Sequence, residues 1–234
     1  MTVSRTPLHT VWTGDFGREV AVRLASLTGA PHDRTDPPAT GRARWPHAGL
    51  RVVAAWRGDP ALFEELAAYQ AALGVPWLPV VHEFPAIRVG PLVVPGRGPC
   101  HGCYVRRRAQ HDRSPGTRTA LRASAERDAG AGVRGFTAAQ AMVAAGLAGR
   151  LIADSVDDRG AHAGTVLVYD VLTRGLLADT VLGVHGCAEC GTPPHPDDGW
   201  RHLADDLAAP ARVKPALPRR RVLPATSFRE ETVR

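Results

Sequence analysis

The 234-residue sequence predicts an α/β fold, an open sheet with helices and a zinc-clasped C-terminal extension. Three observations carry that expectation. Apolar strand-like runs alternate with helical patterns early in the chain, the order that builds parallel sheets. Two further runs form a late hairpin. All four cysteines fall in two Cys-x-x-Cys pairs, Cys100-His101-Gly102-Cys103 and Cys187-Ala188-Glu189-Cys190, each placed soon after strand-like sequence.

Leu8 to Trp12 reads as a short strand. Gly14-Asp15-Phe16-Gly17 then turns into a helix over Arg18 to Leu27, with Val20, Leu24 and Leu27 on one face. The stretch Ala30 to His47 lacks periodicity and holds Pro31, Pro37, Pro38 and Pro46, so it reads as loop. Arg51 to Trp56 is a buried-strand run. Asp59-Pro60 suits a helix N-cap with proline at the first position, and the helix should run through Leu62, Leu66, Tyr69 and Leu73 to a stop at Gly74. Trp77 to Val81 and Ile87 to Val94 read as strands whose prolines place them at ends, edges or bulges.

An arginine-rich stretch, Arg106 to Arg113, follows the first cysteine pair, and the polar segment from there to Gly135 reads as partly disordered. Thr137 caps a helix reaching about Ala153, with Ala141, Ala144, Ala145 and Leu151 available for close packing. Thr165 to Val171 and Leu176 to Val184 form a hairpin across Thr173-Arg174-Gly175. The expected organisation is a strand-and-helix half over 1–99, a zinc-clasped helix and hairpin extension over 100–190, and a proline-rich arm over 191–234.

Each cysteine pair can present two sulfurs to one ion, and Cys100, Cys103, Cys187 and Cys190 together complete the closed tetrahedral set of structural zinc. Joining them closes a loop of about 83 residues, at a cost of about 4 kcal/mol. Thiolate zinc binding supplies about 10–16 kcal/mol. Disulfides, a redox pair and plain buried thiols are the alternatives. Met1 to Thr13 lacks the apolar core of a signal peptide, which gives disulfides no oxidising compartment and makes the cytoplasm the expected location. A redox site needs one motif, not two. His101 and His185 lie beside the thiols, where they could replace a ligand or donate hydrogen bonds to one.

Composition narrows the function classes. Hydrophobic residues make up 44% of the chain, enough for a real core, yet no run is long and apolar enough to span a membrane. The net charge is +6, and the basic residues are arginines apart from Lys214. They are scattered without regular interleaving of aromatics, which disfavours nucleic acid as a partner. No Gly-x-Ser-x-Gly elbow occurs, and Ser114, Ser124 and Ser155 lie in polar stretches without an activating context. A closed thiolate sphere leaves no free cysteine, so no catalytic residue is expected.

Several stretches in series carry a resemblance: Val52-Val53-Ala54-Ala55-Trp56, Gly74 to Val81, and Val89-Gly90-Pro91-Leu92-Val93-Val94-Pro95-Gly96 leading to Cys100. It continues through Cys103-Tyr104-Val105-Arg106-Arg107-Arg108-Ala109-Gln110-His111 and Val168-Tyr169-Asp170 to the last cysteine pair. Over roughly residues 8 to 190 the sequence resembles the ThiF-like adenylating-enzyme family. The likeness is to the degenerate ThiF-like proteins of thiazole/oxazole-modified peptide (TOMM) biosynthesis in particular.

The resemblance implies a Rossmann-like ThiF-type open sheet and a non-catalytic scaffold subunit of an azoline-forming peptide cyclodehydratase. Its implied partners are a YcaO-type ATP-dependent cyclodehydratase and a ribosomal precursor peptide. Larger relatives carry a winged-helix leader-recognition domain ahead of the sheet, whereas the first strand here begins by about residue 8. Leader contact is therefore expected either directly or through a separate recognition protein, and a homodimer is the other assembly considered.

The rival function is an active adenylating enzyme of the same family. It would need a phosphate loop, for which Gly14 and Gly17 supply only Gly-x-x-Gly, short of Gly-x-Gly-x-x-Gly. Asp33 and Asp36 lie near the offset of a ribose-binding acid, but no apolar strand leads to them. Arg106, Arg107, Arg108 and Arg113 are the partner-binding candidates, since guanidinium groups pair bidentately with the carboxylates of an acidic leader or partner. The tail from Arg219 to Arg229 reads as an extended arm.

Overall fold

A seven-stranded sheet organises the chain in the computed structural model, which describes residues 7–35, 41–112, 114–127 and 135–191. These residues belong to one compact unit, residues 1–193. Arg113, Asp36 and the expected C-terminal arm from residue 192 onward lie outside the described residues.

The strands are β1 (Leu8–Thr13), β2 (His32–Arg34), β3 (Leu50–Ala55), β4 (Trp77–Glu83), β5 (Ala86–Val89), β6 (Thr165–Asp170) and β7 (Leu176–Thr180). Their order in the sheet is β2-β1-β3-β4-β5-β6-β7. The first four are mutually parallel and the last three add antiparallel. The open α/β sheet with helices expected from the sequence is the fold.

Both faces of the parallel part are covered, which is why β3 is buried at all six positions. Helices α1 (Gly14–Thr28) and α5 (Ala138–Asp154) pack on one face, where Phe16, Val20 and Leu24 meet Val52, Ala54, Leu78 and Val80. On the other face Leu62, Phe63 and Leu66 of α2 (Pro60–Leu73) meet Val53, Ala55, Trp77 and Val81. Alanines on α5 allow close approach: Ala141, Ala144, Ala145 and Ala148 are all buried.

Both expected N-caps are present. The Asp59 carboxylate accepts from Leu62 N–H, and Thr137 forms a capping box with Gln140.

Four expectations need correction. The stretch read as loop contains β2, and the polar segment after the first cysteine pair is largely helical, as α3 (His101–Gln110) and α4 (Pro115–Arg127). Strand β2 is exposed at all three positions and held by backbone pairing to β1, so it leaves no apolar signal. The run Ile87 to Val94 is not one strand: β5 ends at Val89, Gly90 takes φ 102° ahead of a cis Gly90-Pro91 bond, and Val93 then bridges back to Trp77. Leu27 is 65% exposed, because Val20 and Leu24 already fill the face of α1 turned to the sheet.

Candidate functional site

Strand β5 and its continuation deliver Cys100 to the N-cap of α3, placing Cys103 one turn inside the helix. The chain leaving β7 turns at Val184 to Cys187, where Cys187 N–H donates to the Val184 carbonyl at 3.1 Å and Gly191 N–H to the Cys187 carbonyl at 2.7 Å. The two turns face each other. Sγ–Sγ distances are 3.8 Å for Cys100–Cys103, 3.6 Å for Cys100–Cys187 and 3.4 Å for Cys103–Cys190, and all four sulfurs lie within 4.8 Å of one another.

A tetrahedron with metal–sulfur bonds of about 2.3 Å has edges of about 3.8 Å, so the sulfurs stand near the spacing one ion requires. A disulfide needs about 2.05 Å, and all four cysteines are free thiols. The four cysteines expected as ligands are thus brought together and could hold a metal ion.

The surroundings suit thiolates that share a cation. The Cys103 sulfur accepts from Val184 N–H at 3.2 Å. Burial, with the neighbouring Cys190 and Cys187 thiols and the Glu189 carboxylate, pushes the Cys100 thiol far above its ordinary range. Cys187 moves the other way despite burial, held down to about 6 by the backbone N–H groups of Cys190 and Glu189 and by the Cys100 and Cys103 thiols. Four crowded sulfurs cannot all ionise side by side without a cation between them.

Glu189 fastens the second turn to the first. Its carboxylate lies over Gly102, where a Cβ would come within 2.4 Å of Oε1, and reaches Arg106 at 3.8 Å. A larger residue at Gly102 would displace the half-exposed Glu189 carboxylate.

His101 does not serve the thiols as expected. Its ring packs in an aromatic group with Phe63 (5.5 Å between centroids) and Trp77 (5.3 Å), its Nδ1 has no hydrogen-bond partner, and burial lowers its pKa to about 3. A neutral imidazole buttresses α3 against α2 there. His185 lies outside the sulfur cluster.

The arginines after the first pair are engaged within the chain. Arg106 faces Glu189, Arg107 donates to the carbonyls of Leu182 (3.3 Å) and Gly183 (2.9 Å), and Arg108 pairs with Glu83 and donates to the Tyr104 hydroxyl. Glu83 also receives Arg88 at 3.3 Å. Burial opposes ionisation of Glu83, but Arg88 and Arg108 outweigh it and hold its pKa below the usual carboxylate range.

The other candidate place is the crevice at the C-terminal ends of β1 and β3, where strand order reverses and nucleotides bind in open α/β sheets. Gly14 takes φ 68° at the turn, with Trp56 Cβ 3.4 Å from where its own Cβ would be. Arg57 stacks on the Trp56 ring at 4.0 Å. Gly17 serves packing: a Cβ there would lie 2.3 Å from the Ala54 carbonyl oxygen.

Asp33, near the offset of a ribose acid, instead accepts from His9 Nε2 at 2.9 Å, while His9 Nδ1 accepts from Arg51 Nε at 3.1 Å. Sequence reasoning missed this Asp33–His9–Arg51 chain, which runs from the exposed Asp33 to the buried His9 and Arg51. An arginine heading an apolar strand was the available signal.

Comparison with solved structures places the fold. The heterocyclase TruD matches with a TM-score of 0.60 and 19% identity, over 81% of this chain and 28% of its own. The fold is shared. A chain of the E. coli microcin synthetase McbBCD complex gives 0.59 at 11% identity, over 78% of this chain and 67% of its own. E. coli MccB gives 0.57 at 14% identity, over 81% and 68%. The chain thus spans under a third of the heterocyclase and about two thirds of the other two. No protein-family model and no curated protein matches the sequence. Among the described residues, no helix is long and apolar enough to cross a membrane.

Proposed function

We propose that this chain is a non-catalytic ThiF-like subunit of an azoline-forming peptide cyclodehydratase of TOMM biosynthesis, clasped by one structural zinc ion. It works in the cytoplasm, brings a ribosomal precursor peptide to a YcaO-type ATP-dependent enzyme and stimulates that enzyme. The leader is engaged directly or through a separate recognition protein.

The observation that carries the non-catalytic part is the set of contacts at the crevice between the ends of β1 and β3. Trp56 lies against the Gly14 turn with Arg57 stacked on it, Gly17 is packed against β3, and Asp33 is bound to His9, so the features an adenylating enzyme would turn toward ATP are committed elsewhere. The fold shared with heterocyclase and microcin synthetase chains supports the pathway. Zinc is the metal of choice because four thiolates in a closed tetrahedral set favour it over the hard cations. With no open coordination position, its role is structural.

Co-expression with a YcaO-type enzyme and its precursor tests the proposal. A stable complex and an increase in precursor molecules lacking one water per ring are expected by mass spectrometry. No complex and no stimulation would sink it. Carboxylate-dependent ATP–pyrophosphate exchange by the purified chain would instead establish the adenylating enzyme.

A further inference from the structure

Helix α2 has a second face that the sheet does not use. Leu62, Phe63 and Leu66 pack on the sheet, while Glu64, Ala68 and Ala71, spaced i, i+4 and i+7, share one exposed face. Together with Val105 and Arg106 of α3 they border a groove of about 680 Å³, with Trp77, Val93 and His101 in its lining. A groove of that volume takes one strand of peptide, not the broad face of a folded partner.

Two observations say what chemistry it takes. The His101 side chain lies in the lining, the residue is only 5% exposed, and its Nδ1 has no hydrogen-bond partner. Buried polar groups are otherwise paired, so an apolar lining holds one polar group for an occupant to satisfy. The second observation is charge. The chain has a net charge of +6, yet this groove is acidic. Its lining includes the carboxylates of Glu64 and Glu189 and the sulfurs of Cys100 and Cys190, which are the two part-exposed members of the cysteine set. Four thiolates around one zinc ion make the cluster a dianion. Against all of these the lining has one guanidinium, Arg106, already turned to Glu189 at 3.8 Å.

We propose that the groove binds a basic, apolar stretch of the precursor peptide. The peptide lies extended along the Glu64–Ala68–Ala71 face of α2, where the small side chains let its backbone approach. Its apolar side chains rest on Trp77 and Val93, and its guanidinium or ammonium group is held by the acidic lining. This reverses the polarity expected of the arginines after the first cysteine pair, of which only Arg106 reaches the groove. A precursor arrives as an unfolded chain, which is what so narrow a groove admits. The chemistry of the groove stands on its own residues; the precursor as occupant rests on the function proposed above.

Fluorescence anisotropy of the zinc-loaded chain tests this with two labelled synthetic peptides, one alternating leucine with arginine and one alternating leucine with glutamate. The arginine peptide should bind at least about tenfold more tightly. Glu64→Lys, which reverses a charge, and Ala68→Trp, which fills the groove, should each weaken it about tenfold. Both positions are exposed, so zinc content and far-UV circular dichroism should match the parent. Equal binding of the two peptides, or binding indifferent to both substitutions, overturns the proposal. Unlabelled precursor should displace the arginine peptide. If the chain stimulates the YcaO-type enzyme but its precursor does not displace that peptide, the proposed function stands and the groove's occupant is refuted. If displacement occurs without stimulation, the groove stands and the proposed function fails.

Discussion

Gly17→Ala is the most informative single change to the sheet. The added methyl would lie 2.3 Å from the Ala54 carbonyl oxygen and 2.9 Å from its carbon, where C···O contacts normally begin at about 3.3 Å. Both obstructing atoms are backbone of β3 where it is paired with β1 on one side and β4 on the other, so the strand cannot yield. Helix α1 must instead retreat by about 1 Å, opening the contact through which Phe16, Val20 and Leu24 are fully buried. Overpacking of this kind costs about 3 kcal/mol at the upper end of its usual range, and the better helix propensity of alanine returns about 1 kcal/mol. The net loss is about 2 kcal/mol, a fall in Tm of about 4–8 °C for a chain of this size. Gly14→Ala, which meets only the Trp56 Cβ at 3.4 Å and suffers from φ 68°, should cost about 1 kcal/mol. Thermal denaturation of both variants with metal held constant decides. A Gly17→Ala protein melting at or above the parent, or less affected than Gly14→Ala, would refute the packing role.

Other outcomes follow from the same geometry. Metal analysis should find about one zinc per chain, and Cys103→Ser or Cys187→Ser should release it and lower the Tm by well over 10 °C, given the roughly 10 kcal/mol or more that thiolate zinc contributes; retained metal in both would count against the clasp. Stability should fall as pH drops below about 6.5, because burial lowers the pKa of His9, His82 and His101. The unfolded chain takes up protons there that the folded chain refuses, and His101, at about 3, contributes a slope of about 1.4 kcal/mol per pH unit across that window. Urea titrations at pH 7 and pH 5 read this, with His101→Phe flattening the slope. Glu83→Gln should cost about 2–3 kcal/mol by removing the carboxylate that balances the charge of Arg88, whose side chain is only 5% exposed, the figure being reduced because Arg88 keeps its bond to the Gly90 carbonyl and Arg108 is half in solvent; an unchanged midpoint would show the arginines do not depend on that charge.

What could be read from the sequence follows the physics of each signal. Strand β3, the caps at Asp59 and Thr137, and the alanine face of α5 were legible because burial and capping leave periodic or positional marks. The meeting of the cysteine pairs was legible because two Cys-x-x-Cys turns each present two sulfurs that one ion can share. Strand β2 and helix α4 were not: β2 is held by backbone pairing to β1 and by polar side-chain bonds, which leave no apolar pattern, and α4 is polar overall. His101 misled through adjacency. A residue next to Cys100 in sequence points away from it at the start of a helix, and the aromatic group it joins comes from Phe63 and Trp77, far away along the chain.

The pairing of β5 with β6 and the meeting of the two cysteine turns fasten the same crossing. From Val89 to Thr165, and from Cys103 to Cys187, the chain makes one long excursion through α3, α4 and α5 and returns to the place it left. The entropy of closing such a loop, about 4 kcal/mol, is incurred once and shared by both fastenings. Whichever forms first holds the other's ends at high effective concentration. An ion captured early would therefore seed the ladder, and a formed ladder would gather the four sulfurs for the ion. With an ion on the four sulfurs, metal supply and sheet completion would be a single cooperative event during folding, and a chain starved of metal would lose its late strands' anchor as well as its clasp.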